Sequence, residues 1–152
     1  MSVKKLELQF EDNGSYTMLG IVTALPDYML AFRINQKIQT DFQRFDDFVF
    51  DTEKNKFSYT WFFTYFDEYK TNIHLISNNH PKKKLITKLK NIDFFVAFSS
   101  DSKPEMIEIL TKKIRDIEGV NGVYKLNTRK LNNAELLFEK LELHEINSLK
   151  NR

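Results

Sequence analysis

The sequence contains no cysteine, which excludes a disulfide framework, a thiolate metal site and cysteine nucleophile chemistry. Its four scattered glycines cannot build a G-x-x-x-x-G-K or G-x-G-x-x-G loop, whose phosphate-cradling turns need glycine at fixed offsets. With three prolines and no Pro/Gly-rich stretch, nothing divides the 152 residues into separate units, and single cores run from roughly 50 to 200 residues. Long apolar runs are missing too. The best, Met18 to Leu25, is interrupted by Gly20 and Thr23, whereas a membrane span needs about 20 residues. Met1-Ser2-Val3-Lys4-Lys5 leads into alternating Leu6-Glu7-Leu8-Gln9-Phe10, which offers no uninterrupted apolar core for a secretion signal. A soluble, cytoplasmic protein with no membrane partner is expected. Asn13-Gly14-Ser15 then reads as a turn rather than a glycosylation acceptor.

Charge of one sign is also scarce. Lys plus Arg total 23 and Asp plus Glu 21, which argues against a dedicated polyanion binder, whose affinity comes from a clear basic excess. The balance conceals an asymmetry. Residues 1–76 hold 8 basic and 11 acidic side chains, whereas residues 77–152 hold 15 and 10. The difference centres on Lys82, Lys83, Lys84, Lys88 and Lys90, in a segment with no acid between positions 80 and 92. What is abundant is aromatic: 14 Phe, six Tyr and one Trp, a composition that specifies a filled core.

Periodicity supplies the elements. A strand is expected near Leu6 to Phe10 and a second over Met18 to Val22. A helix entered through Pro26, with Thr23 or a neighbour of Leu25 as cap, is expected to run to about Gln39. Leu30, Ile34 and Ile38 form its inward stripe, widened by Met29 and Phe32. Phe45 to Asp51 reads as a strand and Asp51 to Lys56 as a polar turn. Phe57, Tyr59, Trp61, Phe63 and Tyr65 occupy alternate positions of one run, which places all five on one sheet face. That face is expected to be core, with Ser58, Thr60 and Thr64 turned to solvent. Thr71 to Asn78 returns as a strand. The nearly all-apolar Asp93 to Phe98 is the pattern of a central strand covered on both faces.

Ser102 or Asp101 is placed to cap a helix from Pro104 to Glu118, ended by Gly119, before a strand over Val120 to Leu126. A short last helix is expected over Leu131 to Leu143, with a fraying end. The fold class is α+β: a mostly antiparallel sheet packed against two main helices, with a C-terminal strand–helix–strand unit. Residues 1–138 are expected as one domain and 139–152 as a charged C-terminal tail.

Chemical motifs are few. His74, His80 and His144 have no i,i+4 partner and no acidic neighbour at ligand spacing, so each reads as an isolated surface or strand histidine. Asp51-Thr52-Glu53-Lys54-Asn55 opens like a calcium loop, but Lys56 and Phe62 stand where glycine and glutamate are required. Asp46-Asp47 and Asp67-Glu68 are adjacent pairs; on a strand such neighbours face opposite ways and cannot share a substrate proton. Asp93 is expected to be a cap or ion pair that sets strand register. No catalytic residue, cofactor or metal ligand is assigned.

Several segments together resemble the uncharacterised bacterial family named for an Ile-Pro-Glu-x-x-x-Val-Asp-Tyr signature. They are Leu19-Gly20-Ile21, Asp27-Tyr28-x-Leu30-Ala31-Phe32 with Asn35, Leu75-Ile76-Ser77-Asn78, Val120-x-Gly122-Val123-Tyr124 and Leu136-Leu137-Phe138. The signature aligns with Ile86-Thr87-Lys88-Leu89-Lys90-Asn91-Ile92-Asp93-Phe94. Thr87 replaces its proline and Lys88 its glutamate, which reverses the local charge. The resemblance implies a small soluble cytoplasmic protein and no activity, cofactor or substrate.

Architectural roles are expected for the signature residues Asp27, Tyr28, Asn35, Asp93 and Phe94. Tyr28 is expected to bury its ring, and Arg33 or Arg44 to pair with Asp27 or Asp93. The leading functional expectation is a non-catalytic domain that binds another protein. The alternatives are weak RNA or DNA binding through Lys82 to Lys90, and a small ligand held between the first helix and the sheet.

Overall fold

The computed structural model describes residues 16–51, 56–131 and 133–150. The strand expected at Leu6 to Phe10, the turn expected at Asn13 to Ser15 and residues 52–55 of the turn expected over Asp51 to Lys56 lie outside them. Eight strands are described: β1 (Tyr16–Thr23), β2 (Gln43–Arg44), β3 (Phe48–Asp51), β4 (Lys56–Tyr59), β5 (Trp61–Phe66), β6 (Thr71–Ser77), β7 (Phe94–Ser99) and β8 (Val120–Lys125). Three helices accompany them: α1 (Asp27–Ile38), α2 (Pro104–Arg115) and α3 (Ala134–Lys150). The main sheet has the order β2-β5-β6-β7-β1-β8, and β3 pairs with β4 in a separate two-stranded sheet. Every ladder is antiparallel. The chain is α+β with a mostly antiparallel sheet. β7 and β8, joined through α2, are not neighbours, because β1 lies between them and pairs with both.

Alternation along the strands divides the core into two layers. Leu19, Ile21, Phe62, Phe66, Ile73, Leu75, Phe94, Val96 and Phe98 meet the buried faces of α1 and α2. Met18, Trp61, Phe63, Ile76, Phe95 and Ala97 point the other way, toward Leu137, Phe138 and Leu141 of α3, Phe48 and Tyr59 of the small sheet, and Leu85 and Ile92. An antiparallel sheet commonly leaves one face in water and then alternates apolar with polar. Here both faces are covered, so β7 is apolar at consecutive positions, as its sequence pattern indicates.

The aromatic run divides where a single strand is expected. Phe57 and Tyr59 belong to β4, whereas Trp61, Phe63 and Tyr65 belong to β5. Trp61 and Phe63 are buried on the α3 side, but Tyr65 is exposed. Of the alternate positions, Ser58 is exposed as expected and Thr60 half-buried, but Phe62, Thr64 and Phe66 of β5 are buried beneath the first two helices. Sequence period distinguishes the two faces of a strand but says nothing of which of them other elements cover.

The helices start and stop close to expectation. Leu30, Ala31, Ile34 and Ile38 form the buried stripe of α1, which ends at Gln39 in the left-handed region at φ 59°. Pro26 is the N-cap, without a side-chain cap. Thr23 instead accepts from Leu25 N at 3.1 Å and donates to Gly119 O at 2.6 Å. Phe32 does not widen the stripe: it faces outward. α2 begins at Pro104 after Lys103, without the cap expected from Asp101 or Ser102, and ends at Arg115, one turn short of Gly119 at φ 97°. α3 continues to Lys150, through residues expected to fray, because Leu141, His144 and Glu145 all contact the sheet layer.

The sheet ends are blunted. β2 is two residues long, and on β8 the Val123 carbonyl accepts from both Nε and Nη2 of Arg115, at 3.1 and 2.8 Å. Short edge strands and charged groups on edge carbonyls discourage strand addition from other chains.

Candidate functional site

The lysine-rich segment is built on one buried amide. Asn78 follows β6 and is fully buried. Its Nδ2 donates to Leu89 O at 3.1 Å and Ile92 O at 2.8 Å, and its Oδ1 accepts from Ile86 N at 2.8 Å. Its own carbonyl accepts from Leu85 N at 2.9 Å. Leu85 and Ile92 insert into the core on either side. Loop backbone needs a partner for each buried polar group, and a single asparagine supplies several here. Residues 79–91 thus form a shaped rim rather than a solvated strand of lysines. Lys82, Lys83, Lys88 and Lys90 are exposed and Lys84 is half-buried. Lys84 Nζ donates to Asn79 Oδ1 at 2.5 Å, and Lys83 lies 5.8 Å from the centre of the Phe57 ring. His80 packs edge-on against Phe57 at 5.1 Å.

Among the described residues, the side chains of Asp27, Asn35, Asp93 and Phe94 make backbone or core contacts, and that of Tyr28 does not. Asn35 organises the exit of α1: its Oδ1 accepts from Phe42 N at 2.7 Å and Thr40 Oγ1 at 2.9 Å, and its Nδ2 donates to Phe42 O at 3.2 Å. Asp93 fixes strand register. Its Oδ2 accepts from Thr23 N at 2.9 Å, its Oδ1 from Asn79 Nδ2 at 3.3 Å, and its backbone bridges Ile21 and Asn78. Phe94 is core. Asp27 starts α1 and accepts from Tyr28 N at 2.6 Å. The expected arginine pairs are not formed: Arg33 donates to Glu118 O at 2.5 Å, and Arg44 pairs with Asp47 at 3.3 Å.

Tyr28 is the exception. It is 66% exposed, and Phe32, one turn on, is 57% exposed. Gln36 extends this ridge and is also exposed, with half-buried Met29 and Arg33 beside it. The outer face of α1 therefore carries two adjacent aromatic rings with no charge on the ridge itself. Helical periodicity assigns Phe32 to the inner stripe because a 3.6-residue repeat leaves the width of the buried face open.

A polar cluster that no local sequence pattern announces lies beneath α3. His74 is fully buried. The indole Nε1 of Trp61 donates to its Nδ1 at 3.0 Å. An indole nitrogen is only a donor, so Nδ1 carries no proton and the hydrogen of the neutral ring sits on Nε2. That nitrogen lies 2.9 Å from Glu145 Oε1, without a well-directed hydrogen bond. Tyr16 meets the ring edge-on at 5.4 Å and Phe63 at 5.3 Å. Burial pushes the imidazole below its ordinary range, outweighing the opposing pull of Glu145, and nearby His144 lowers it further. Tyr16 is displaced upward by burial and by Glu145 and Glu142, so its phenol stays protonated. His144 stacks edge-on against Trp61 at 4.4 Å and touches Asp46 O at 2.9 Å. The isolation expected of His74 thus fails: its acidic neighbour is 71 positions away in the chain.

The carboxylate pairs do not become sites. Asp47 is taken by Arg44, and Asp67 and Glu68 stand exposed in the turn between β5 and β6. Among the described residues, no group of three or more His, Asp or Glu is placed to hold a metal, and no helix is long and apolar enough to cross a membrane. An open cleft of about 1160 Å³ lies where β1, β8 and the start of α3 converge, lined by residues including Tyr16, Lys125, Arg129 and Phe138. A smaller one of about 310 Å³ lies along β8 beside Arg115. Neither separates α1 from the sheet, where Leu30, Ala31, Ile34 and Ile38 pack directly. No family model, curated protein or solved structure matches the chain.

Proposed function

We propose that this chain is a non-catalytic binding module that docks a protein partner on the outer face of α1. The observation that carries the reading is the pair Tyr28 and Phe32, 66% and 57% exposed one helical turn apart. Interface centres are enriched in aromatic residues, Met and Arg and depleted in Lys, Glu and Asp. Tyr28, Met29, Phe32 and Arg33 have that composition, and aromatic anchors four residues apart suit a partner with an apolar cleft. The likeness to the Ile-Pro-Glu-x-x-x-Val-Asp-Tyr family belongs to the same proposal, since Asn35 and Asp93 serve architecture and leave α1's outer face for recognition.

A double variant, Tyr28→Ser with Phe32→Ser, removes no buried side chain. Its circular dichroism and Tm should match the parent, while a partner that co-purifies with the parent at native expression is lost. Equal recovery of that partner by the double variant overturns the reading.

A second reading has its own support: Lys82, Lys83, Lys88 and Lys90 are exposed on a rim held by Asn78, with no acid from 80 to 92. It assigns weak, sequence-independent binding of RNA or DNA. Replacing Lys82, Lys83 and Lys84 by Ala should then weaken binding and flatten its salt dependence, by roughly one logarithmic unit of slope for each phosphate no longer neutralised. Unchanged binding by the triple variant rejects it.

A further inference from the structure

His74 lies at the contact between two parts of the molecule. It sits on β6, within the sheet, and the carboxylate against its Nε2 belongs to the last turns of α3. α3 is held by Phe138 on Tyr16, Leu137 and Leu141 in the core, His144 on Trp61, Phe48 and the Asp46 carbonyl, and Glu145 on His74 and Asn72. Beneath it lie Trp61, Phe63 and Phe95, all buried.

Among the described residues, the titratable and charged groups around this ring come from few elements. β1 supplies Tyr16; α3 supplies His144 and Glu145, with Glu142 acting on Tyr16. β5 supplies only Trp61 and Phe63, and the β7 residue opposite His74 is Ala97. Asn72, on the same strand, reaches Glu145 Oε2 at 3.5 Å. Of these groups, only the two histidines ordinarily change charge between about pH 5 and 8.

The Trp61 bond makes the neutral ring obligatory in the closed arrangement. A proton on Nδ1 would set one N–H against another, 3.0 Å apart, between two fully buried side chains. The ring must then leave Trp61, and the residue above it is Glu145 of α3. We propose that His74 is an acid-sensitive latch: its protonation releases α3 from the sheet and uncovers the apolar face around Trp61. The device is conformational and independent of what binds α1. Its direction follows from the Trp61 bond, which leaves Nδ1 no room for a proton in the closed state, and burial acts the same way. The released ring takes one near the ordinary histidine value of about 6.5. Opening therefore becomes up to about tenfold more favourable per pH unit below that value, and is insensitive to pH well above it.

The experiment uses the whole chain. Hydrogen exchange, corrected for the intrinsic pH dependence of amide exchange, is followed by mass spectrometry from about pH 7.5 to about pH 5.5, the range of histidine charging. Trp61, the only tryptophan of the sequence, reports its own exposure by emission. Protection in α3 should fall by up to about tenfold per unit below about 6.5 while protection in β7 holds, and Trp61 emission should shift to the red. His74→Asn keeps an oxygen to accept from Trp61 and cannot titrate in this range, so it should abolish the response. His144→Gln should retain it. Simultaneous loss of protection in α3 and β7 overturns the proposal, as does a response that survives His74→Asn or disappears in His144→Gln. If His74→Asn fails to fold, the parent and His144→Gln decide: acid-dependent loss confined to α3 in both supports the latch, and any other pattern overturns it.

Discussion

Trp61 donates its indole hydrogen to Nδ1 of His74 across the β5–β6 ladder at 3.0 Å. The two are diagonal neighbours, since Trp61 stands opposite Ile76 and Phe63 opposite His74. The bond fixes one tautomer of a fully buried imidazole and aims its other nitrogen at Glu145. One side-chain contact thereby links the strand pair to the final helix.

Stability should fall on both sides of neutrality, for opposite reasons. Above about 6.5, His74 is neutral whether folded or unfolded and contributes no pH dependence. Below it the unfolded chain takes a proton that the folded chain resists, costing up to about 1.4 kcal/mol per unit. Tyr16 acts at the alkaline end: its folded phenol is raised above the ordinary 10.0, so stability is intact below that value and is lost as pH rises above it. Urea denaturation across pH should show both limbs. His74→Asn should flatten the acid one and Tyr16→Phe the alkaline one.

Asn78→Ala should cost on the order of 3 kcal/mol, because it leaves Leu89 O, Ile92 O and Ile86 N without their partner in or near the core. Equilibrium denaturation measures the loss. Exchange of the amides between residues 84 and 93 should accelerate more than that of β1, as the lysine rim loses its frame.

Gly20→Ala should destabilise by about 1–3 kcal/mol through overpacking. A Cβ at residue 20 would lie 2.8 Å from Cδ1 of buried Ile92, and 3.1 Å from its Cγ1 and Cγ2. Adding Ile92→Val to Gly20→Ala should recover part of the loss, a non-additivity that a double-mutant cycle in urea would detect. Strict additivity would mean that Ile92 is not the obstacle.

Arg115→Ala should expose the Val123 carbonyl on the edge of the sheet. The expected stability change is small, about 1 kcal/mol. Sedimentation velocity over a range of concentration should reveal self-association absent from the parent, since an uncovered edge invites strand addition.

Much of the architecture is legible from local pattern. The inward stripe of α1, the start of α2 at Pro104 and the doubly covered β7 all follow from residue spacing within a single element. The register role of Asp93 is legible as well, because an acid entering an apolar strand must find donors. The errors share a cause. Whether Phe32 and Tyr28 are buried, whether Thr64 faces water and whether residues 139–150 stay helical depend on which elements arrive from elsewhere in the chain. The break at Thr60, which sends Phe57 and Trp61 into different sheets, leaves the period-two pattern intact and so cannot be detected from it.

By itself the sequence determined an α+β chain, the central buried stripes of its first two helices, its most buried strand and a lysine-rich segment free of acids, since each follows from composition or short-range periodicity. Tertiary structure alone decided that α3 closes the second face of the sheet, that Asn78 shapes the lysine rim and that His74 meets Glu145 over Trp61. Those relationships join residues up to 122 positions apart, as Tyr16 and Phe138 are. They exist because backbone groups and a buried imidazole must find polar partners once water is excluded, and only the folded chain brings those partners within reach.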